Sequence, residues 1–302
     1  MFQRLTCPIT QSSDLVTKIE LPYASGLLGP WTAERGQQEL LSGCSFVILY
    51  NPAIEFYFQR WVFDQQDEVK RRENIAARSA NLKPKLYSLT ELSHKAEDAI
   101  TIRLLFPKLD RPPRVLDYGM ATGEWLLMAK AYGAEAWGTD IDPRAAIASA
   151  QSGLGYAAEH ELPDGYFDFI NADQVFEHLP DPLATISDLA RKLASGGFLK
   201  LSTPGDDGIE RKLGRLRKGD YTLTTFKQEF QALAPLSHIN LFTAKSLTAL
   251  AAKAGLESYR LPLKRTYAAM TGFHSARQLN RNLYSPFKRH MAAQTWQYFR
   301  KP

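Results

Sequence analysis

The sequence predicts an α/β fold, a mostly parallel sheet with helices on both faces, flanked by an N-terminal appendage (1–110) and a basic aromatic C-terminal tail (264–302). Three observations carry this. Short apolar runs alternate with helix-like segments between about 111 and 263. The first run, within VLDYGMATGEW at 115–125, ends in Asp117 and breaks into a loop holding Gly119, Ala121 and Gly123. A second run, WGTDID at 137–142, places Asp140 23 positions after Asp117. A strand, a glycine loop, a helix and an acid-tipped strand make one βαβ unit of nucleotide-binding type.

Composition is compatible with such a fold. A chain of 302 residues with 44% hydrophobic and 23% charged residues can bury a sizeable core, as one large domain with appendages or as two domains. No apolar run approaches the ~20 residues that span a bilayer. The segment MFQRLTCPITQSSDLV lacks the hydrophobic region of a signal peptide. Two cysteines give no disulfide framework. The expectation is a soluble cytoplasmic chain. Charge is uneven: residues 1–259 carry 28 Lys+Arg against 32 Asp+Glu, whereas 260–302 carry 9 Lys+Arg and no acid. That tail, with Tyr284, Phe287, Trp296 and Phe299, reads either as an anion-binding arm or as a cover whose aromatics pack inward while its cations face water.

Taken in order, residues 1–53 read as irregular or β, with turn signals at Ser42-Gly43 and Gly29-Pro30. A charged helix is expected over 54–80, ended by Asn81–Pro84. A second helix is expected over 90–107, with Thr90 as its N-cap. Pro112-Pro113 stop that pattern before the first core strand. Core strands are expected at 114–118, 135–140, 167–172, 197–203 and 257–263, with a third strand in the chain near 153–160. Helices are expected at 123–132, 143–152, 182–194 and 243–254. Asp181-Pro182 is a helix start and Gly196-Gly197 a stop. Residues 206–235 form an insertion or lid, basic at 211–218, within the core region 111–263.

The loop reads D-x-G-x-A-x-G rather than G-x-G-x-x-G. Glycine lets backbone turn sharply and approach a ligand closely. An acid two residues before the first glycine repels a pyrophosphate and suits a ligand with a cationic or amino-acid end. This argues against NAD and for S-adenosyl-L-methionine, whose ribose hydroxyls Asp140 can accept.

This loop resembles that of class I S-adenosylmethionine-dependent methyltransferases, which share a Rossmann-like sheet of seven strands. FDFINADQVFEHLPDP (167–182) resembles the fourth strand and helix entry of that superfamily. LASGGFLKLSTPG (193–205) resembles its fifth strand, with Ser195 where proline is usual. HINLFTAKSLTALAAKAGL (238–256) resembles a block of the subgroup acting on small molecules and sugars. The four blocks cover about half the chain. CSFVILYNP (44–52) resembles the second half of a zinc ribbon that precedes some sugar-type members. Leu41 and Thr10 stand where cysteines would pair with Cys44 and Cys7, so a metal-free remnant is expected.

The resemblance gives each residue an expected role. Asp117 serves the amino-acid end of the cofactor, Gly119 and Gly123 shape the loop, and Ala121 departs from the usual glycine. Asp140 holds the ribose. Ile141 packs on adenine or in the core, and Asn171 contacts the cofactor. Within the Glu177–His178 pair, His178 is either a general base or, with Glu177, a hydrogen-bonded lock on its loop. In some relatives acids and histidine here are linked to metal, and Asp173, Glu177 and His178 could meet; no metal is expected. His238 is a substrate or base residue, or a core histidine. His94, His160, His274 and His290 read as surface or packing residues.

The reading is methyl transfer from S-adenosylmethionine to a small-molecule acceptor of sugar, nucleotide-sugar or acidic-metabolite type. In such a displacement the enzyme mainly aligns donor and nucleophile. Two alternatives stand beside it: a nucleic-acid methyltransferase using the basic tail, and a non-catalytic binding module that keeps the fold.

Overall fold

The computed structural model describes residues 1–24, 26–34, 37, 41–63, 88–142, 144–205, 208–271, 276–291 and 295–302. In chain order the elements begin β1 (Phe2–Gln3), β2 (Val16–Pro22), α1 (Gly29–Glu34), β3 (Ser45–Asn51), β4 (Phe56–Gln59), β5 (Trp61–Val62) and α2 (Leu89–Leu105). They continue with β6 (Arg114–Tyr118), α3 (Glu124–Ala131), β7 (Glu135–Thr139), α4 (Arg144–Ser152), β8 (Gly155–Tyr156), β9 (Phe167–Asp173), α5 (Pro182–Lys192) and β10 (Leu193–Ser202). Last come α6 (Ile209–Arg217), α7 (Leu223–Glu229), β11 (Asn240–Leu241), α8 (Ala244–Lys253), β12 (Glu257–Tyr259), α9 (Leu263–Ala268), α10 (Ala276–Met291) and β13 (Trp296–Arg300). The chain divides into two units. The large-sheet unit holds Val69–Asp173, Ile186–Ser202 and Ala251–Pro302, and the small-sheet unit holds Met1–Glu68, Gln174–Thr185 and Thr203–Leu250.

In the large-sheet unit, seven of the described strands form one sheet in the order β12-β13-β10-β9-β6-β7-β8. Strands β10, β9, β6, β7 and β8 pair in parallel, and β13 runs antiparallel to both β10 and β12. The winding reverses between β6 and β9. Right-handed crossovers put the β6-α3-β7 and β7-α4-β8 helices on one face and the β9-α5-β10 helix on the other. Residues 167–172 of β9 are buried without alternation, as in a strand covered on both faces. Val115, Met120, Trp125, Leu126, Phe169 and Tyr298 belong to the core on this sheet.

Several expectations need correction. Trp296–Arg300 lies inside the sheet, so the segment set apart as a basic tail supplies a core strand. Its W-Q-Y-F-R pattern buries Tyr298 and Phe299, and pairing on both sides outweighs the local charge. The cap of α2 is Ser88, two residues before Thr90. The Ser88 Oγ accepts from Glu91 N at 3.2 Å, and Glu91 Oε2 accepts from Ser88 N at 2.8 Å. Strand β12 stops at Tyr259, because Pro262 caps α9. Helix α5 ends at Lys192, before the glycine pair, and Gly197 serves a bulge in β10 instead. A Cβ on Gly197 would lie 2.8 Å from Ala194 O, 3.0 Å from Asp168 O and 3.1 Å from Phe167 O.

The small-sheet unit carries a four-stranded antiparallel sheet, β11-β4-β3-β2, and the β1–β5 pair. The helix expected over 54–80 is replaced by β4 and β5 as far as 62; residues 64–87 lie outside the described residues. All four residues of β4, Phe-Tyr-Phe-Gln, are buried, as suits aromatic β-formers in an interior strand between β3 and β11. The insertion at 206–235 builds on this unit. Ile209, Leu213, Leu216 and Phe226 share a core with Ile19 and Phe46. Within its basic segment Arg215 meets Glu229 at 2.9 Å and lies 4.5 Å over the Tyr221 ring. Cys7 and Cys44 are both free thiols.

Candidate functional site

Open α/β sheets bind ligands outside the carboxyl ends of their strands, where the strand order reverses. Between β6 and β9 the register sets Asp117 directly beside Asn171, with Gly138 on its other side. The chain leaves β6 through a tight bend. Gly119 and Met120 N both donate to Thr139 O, at 2.9 and 3.1 Å. Gly119 and Gly123 have φ of 84°. At Gly123 a Cβ would also come within 2.8 Å of Leu154 Cδ1, which would have to shift, so the positive φ is the firmer reason for glycine there. Ala121 takes φ 48°, a left-handed conformation costing an L-residue about 1 kcal/mol or more.

Asp140 closes this bend. One carboxylate oxygen accepts from Ala121 N at 2.8 Å and the other from Asp142 N at 2.8 Å. It thus caps loop amides, and each oxygen keeps acceptor capacity for a ligand hydroxyl. Ile141 beside it is 40% exposed, so its side chain is not core.

Asp117 is buried and accepts from Asn171 Nδ2 at 2.7 Å. Burial pushes its carboxyl up to about 7, against the pull of the Asn171 hydrogen bond. Because Asn171 Nδ2 faces a carboxylate, its Oδ1 is the remaining acceptor. That buried oxygen meets no hydrogen-bond donor among the described residues. Two acceptors therefore sit side by side under the loop, an arrangement suited to a cation or a donor-rich group.

The same unit holds a cavity of about 390 Å³ whose lining includes Asp98, Trp125, Asp173, Lys200, Leu261 and Trp296. Lys200 lies next to Asn171 in register, and its ammonium pairs with Asp98. Burial opposes that charge, but Asp98, with Tyr298 and Asp173, more than offsets it and holds the ammonium above the usual lysine range. Asp98 also accepts from Trp125 Nε1 at 3.2 Å. The sequence reading passed over this pair; a lysine inside the apolar β10 run was the available signal. His94 lines the cavity as well. It pairs with Glu97, whose carboxyl stays below its usual range despite burial, through His94 and Arg281.

In the small-sheet unit, His178 and His238 come together, ring centroids 4.7 Å apart and nearly perpendicular. Glu177 is 1% exposed and its Oε1 lies 4.0 Å from His178 Nε2. His178 Nδ1 lies 2.7 Å from Ser237 O, a carbonyl that only accepts, so Nδ1 is the donor. Buried polar groups fix the two backbone segments. Asn240 Nδ2 donates to Phe176 O and Leu179 O at 2.9 and 2.8 Å. Arg4, buried, donates to Asn240 Oδ1 and Ile239 O, both at 2.7 Å. Burial lowers its guanidinium to about 9. Gln59 Nε2 donates to His238 O at 2.9 Å. His274 lies outside the described residues. No helix among the described residues is long and apolar enough to cross a membrane.

Comparison with known proteins places these features in a family. Residues 89–261 match the model of the methyltransferase domain family. A probable tocopherol O-methyltransferase, chloroplastic, of Oryza sativa subsp. japonica is 32% identical over 106 residues, 31% of this chain and 29% of that protein. The chain thus spans under a third of the length of that curated relative. Among solved structures, magnesium protoporphyrin IX methyltransferase of Synechocystis PCC 6803 has a TM-score of 0.48 and 13% identity, over 79% of this chain and 100% of that one. The 1,6-didemethyltoxoflavin-N1-methyltransferase of Burkholderia thailandensis has a TM-score of 0.45 and 16% identity, over 85% and 95% of the two chains. The family match covers more than half of the sequence: the chain belongs to the methyltransferase domain family.

Proposed function

We propose that the protein is an S-adenosylmethionine-dependent methyltransferase acting on a small molecule. The observation that carries this is the paired acceptor at the strand-order reversal, a buried Asp117 carboxylate beside the undonated Asn171 Oδ1. A ligand bearing ammonium and sulfonium charges answers both, and a pyrophosphate answers neither. When bound, S-adenosylmethionine supplies a methyl group on a sulfonium. Asp117 and Asn171 hold its amino-acid end, the Gly119–Gly123 bend allows close backbone approach, Asp140 holds the ribose, and Ile141 covers the adenine.

The acceptor occupies the cavity of about 390 Å³, a size in the range of small-molecule sites. Trp125, Trp296 and Tyr298 provide its aromatic walls. Its carboxylates Glu91, Glu97, Asp98 and Asp173 outnumber Lys95 and Lys200. That balance supports a neutral hydroxyl-bearing or amine-bearing acceptor, such as a sugar, over an acidic metabolite. Membership of the sugar-type subgroup, with 1–53 as a zinc-ribbon remnant, belongs to the same proposal.

The test is thermal stabilisation by S-adenosylhomocysteine. At ~100 times its dissociation constant a ligand adds about 2.7 kcal/mol to stability. The stabilisation is expected in the wild type and not in Asp140→Ala. A wild type that ignores the ligand, or that responds to NAD instead, overturns the reading.

A further inference from the structure

We propose that Glu177, His178 and His238 form a binding site for a divalent transition-metal ion of the zinc class. One ligand atom from each residue can be chosen so that all three lie within 4.8 Å of one another. Two imidazole nitrogens and one carboxylate oxygen suit zinc and its first-row neighbours rather than magnesium or calcium, which prefer oxygen alone.

The orientation of the His178 ring points the same way. A carbonyl only accepts, so Ser237 O holds the proton of His178 on Nδ1. The other ring nitrogen, Nε2, faces Glu177 Oε1 at 4.0 Å. That separation exceeds a hydrogen bond. Two ligands of one tetrahedral zinc ion lie roughly 3.3 Å apart, from metal–ligand bonds of about 2.0–2.1 Å. Side-chain adjustments of roughly 1–1.5 Å bring the three ligand atoms, which lie within 4.8 Å of one another, to that spacing. Hydrogen-bonding the far nitrogen of a histidine to a carbonyl is how metal-binding imidazoles are oriented.

The backbone around the cluster is held independently. Asn240 ties the carbonyls on both sides of the Glu177–His178 pair, and Arg4 and Gln59 tie the segment that carries His238. Burying Arg4 and Asn240 to lock these segments is costly in isolation, and it is explained by a need for fixed donors. Three protein donors leave coordination positions open on the ion. The two histidines then serve as ligands and not as proton acceptors.

The experiment uses tag-free full-length chain, stripped with chelator and titrated with zinc chloride in the absence of any methyl donor. The expected result is one zinc per chain, with X-ray absorption showing nitrogen and oxygen at about 2.0–2.1 Å and no sulfur near about 2.3 Å. His238→Ala and Glu177→Gln are expected to weaken binding ~100-fold or more, and Cys44→Ser to leave it unchanged. Sulfur in the absorption spectrum, no zinc uptake at ten-micromolar concentrations, or equal binding by wild type and His238→Ala overturns the proposal. Should a variant fail to fold, the absorption spectrum of the unaltered chain decides alone. Because no cofactor is present, failure here leaves the S-adenosylhomocysteine result untouched, and the reverse holds.

Discussion

Replacing Asp117 with asparagine should make the free chain more stable at pH 8 and a poorer cofactor binder. Burial raises the Asp117 carboxyl from 3.8 to about 7 in the folded state. The folded chain therefore holds a proton that the unfolded chain has released between those two values. The unfolded state binds fewer protons there, so stability falls as pH rises through that window. With 1.36 kcal/mol per pKa unit, the cost of the ionised carboxylate is about 1.7 kcal/mol at pH 5 and about 4 kcal/mol at pH 8. Asparagine is of the same size, keeps an acceptor oxygen for Asn171 Nδ2 and carries no charge. Urea unfolding of both proteins at pH 5 and pH 8 reads the difference. The stability gap in favour of Asp117→Asn should widen by about 2.5 kcal/mol between the two. Ligand binding should move the other way. A cationic ligand selects the ionised carboxylate, so wild-type affinity for S-adenosylhomocysteine should drop roughly tenfold per pH unit below about 7, and the variant should be weaker and flat. A stability gap that stays constant from pH 5 to 8, or an identical pH slope of binding in the variant, refutes the reasoning.

Asp140→Ala should lower S-adenosylhomocysteine affinity at least ~100-fold by calorimetry, since hydrogen bonds to a charged group contribute about 1.5–3 kcal/mol each; a loss under threefold contradicts the ribose assignment. Ala121→Gly should be neutral or stabilising by up to about 1 kcal/mol in thermal unfolding, because relief of the left-handed strain offsets the added unfolded-state entropy. Gly197→Ala should destabilise by about 1–3 kcal/mol through its three carbonyl contacts, and an unchanged unfolding midpoint would count against the close strand approach. Asp98→Ala should cost about 3 kcal/mol or more in urea unfolding, because it leaves the Lys200 ammonium buried without its carboxylate.

The bend between the first two core strands was legible because it is local. Asp117, Gly119, Ala121 and Gly123 lie in one loop, and Asp140 is one βαβ unit further on. A glycine loop between a strand and a helix has few conformations, so residue order nearly dictates geometry. Ala121 stands where glycine is usual, and the structure gives it a positive φ. The cavity was not legible, because it is assembled from α2, β9, β10, α9 and β13, whose residues are spread from Glu91 to Tyr298. The helix expected over 54–80 failed, as far as residue 62, for a related reason. Local charge favoured helix, while pairing with β3 and β11 gives the aromatic run a strand to complete.

The sequence by itself determined the alternating core elements and set Asp117 and Asp140 at the ends of the first two core strands. Those properties depend on periodicity and turn chemistry within some 30 residues. Only the tertiary structure decided that Trp296–Arg300 is a core strand, that Asn171 keeps a buried acceptor beside Asp117, and that His238 joins Glu177 and His178. Each of these is a meeting of residues distant along the chain, set by sheet register and by which buried groups find partners, and neither is encoded in any single window of sequence.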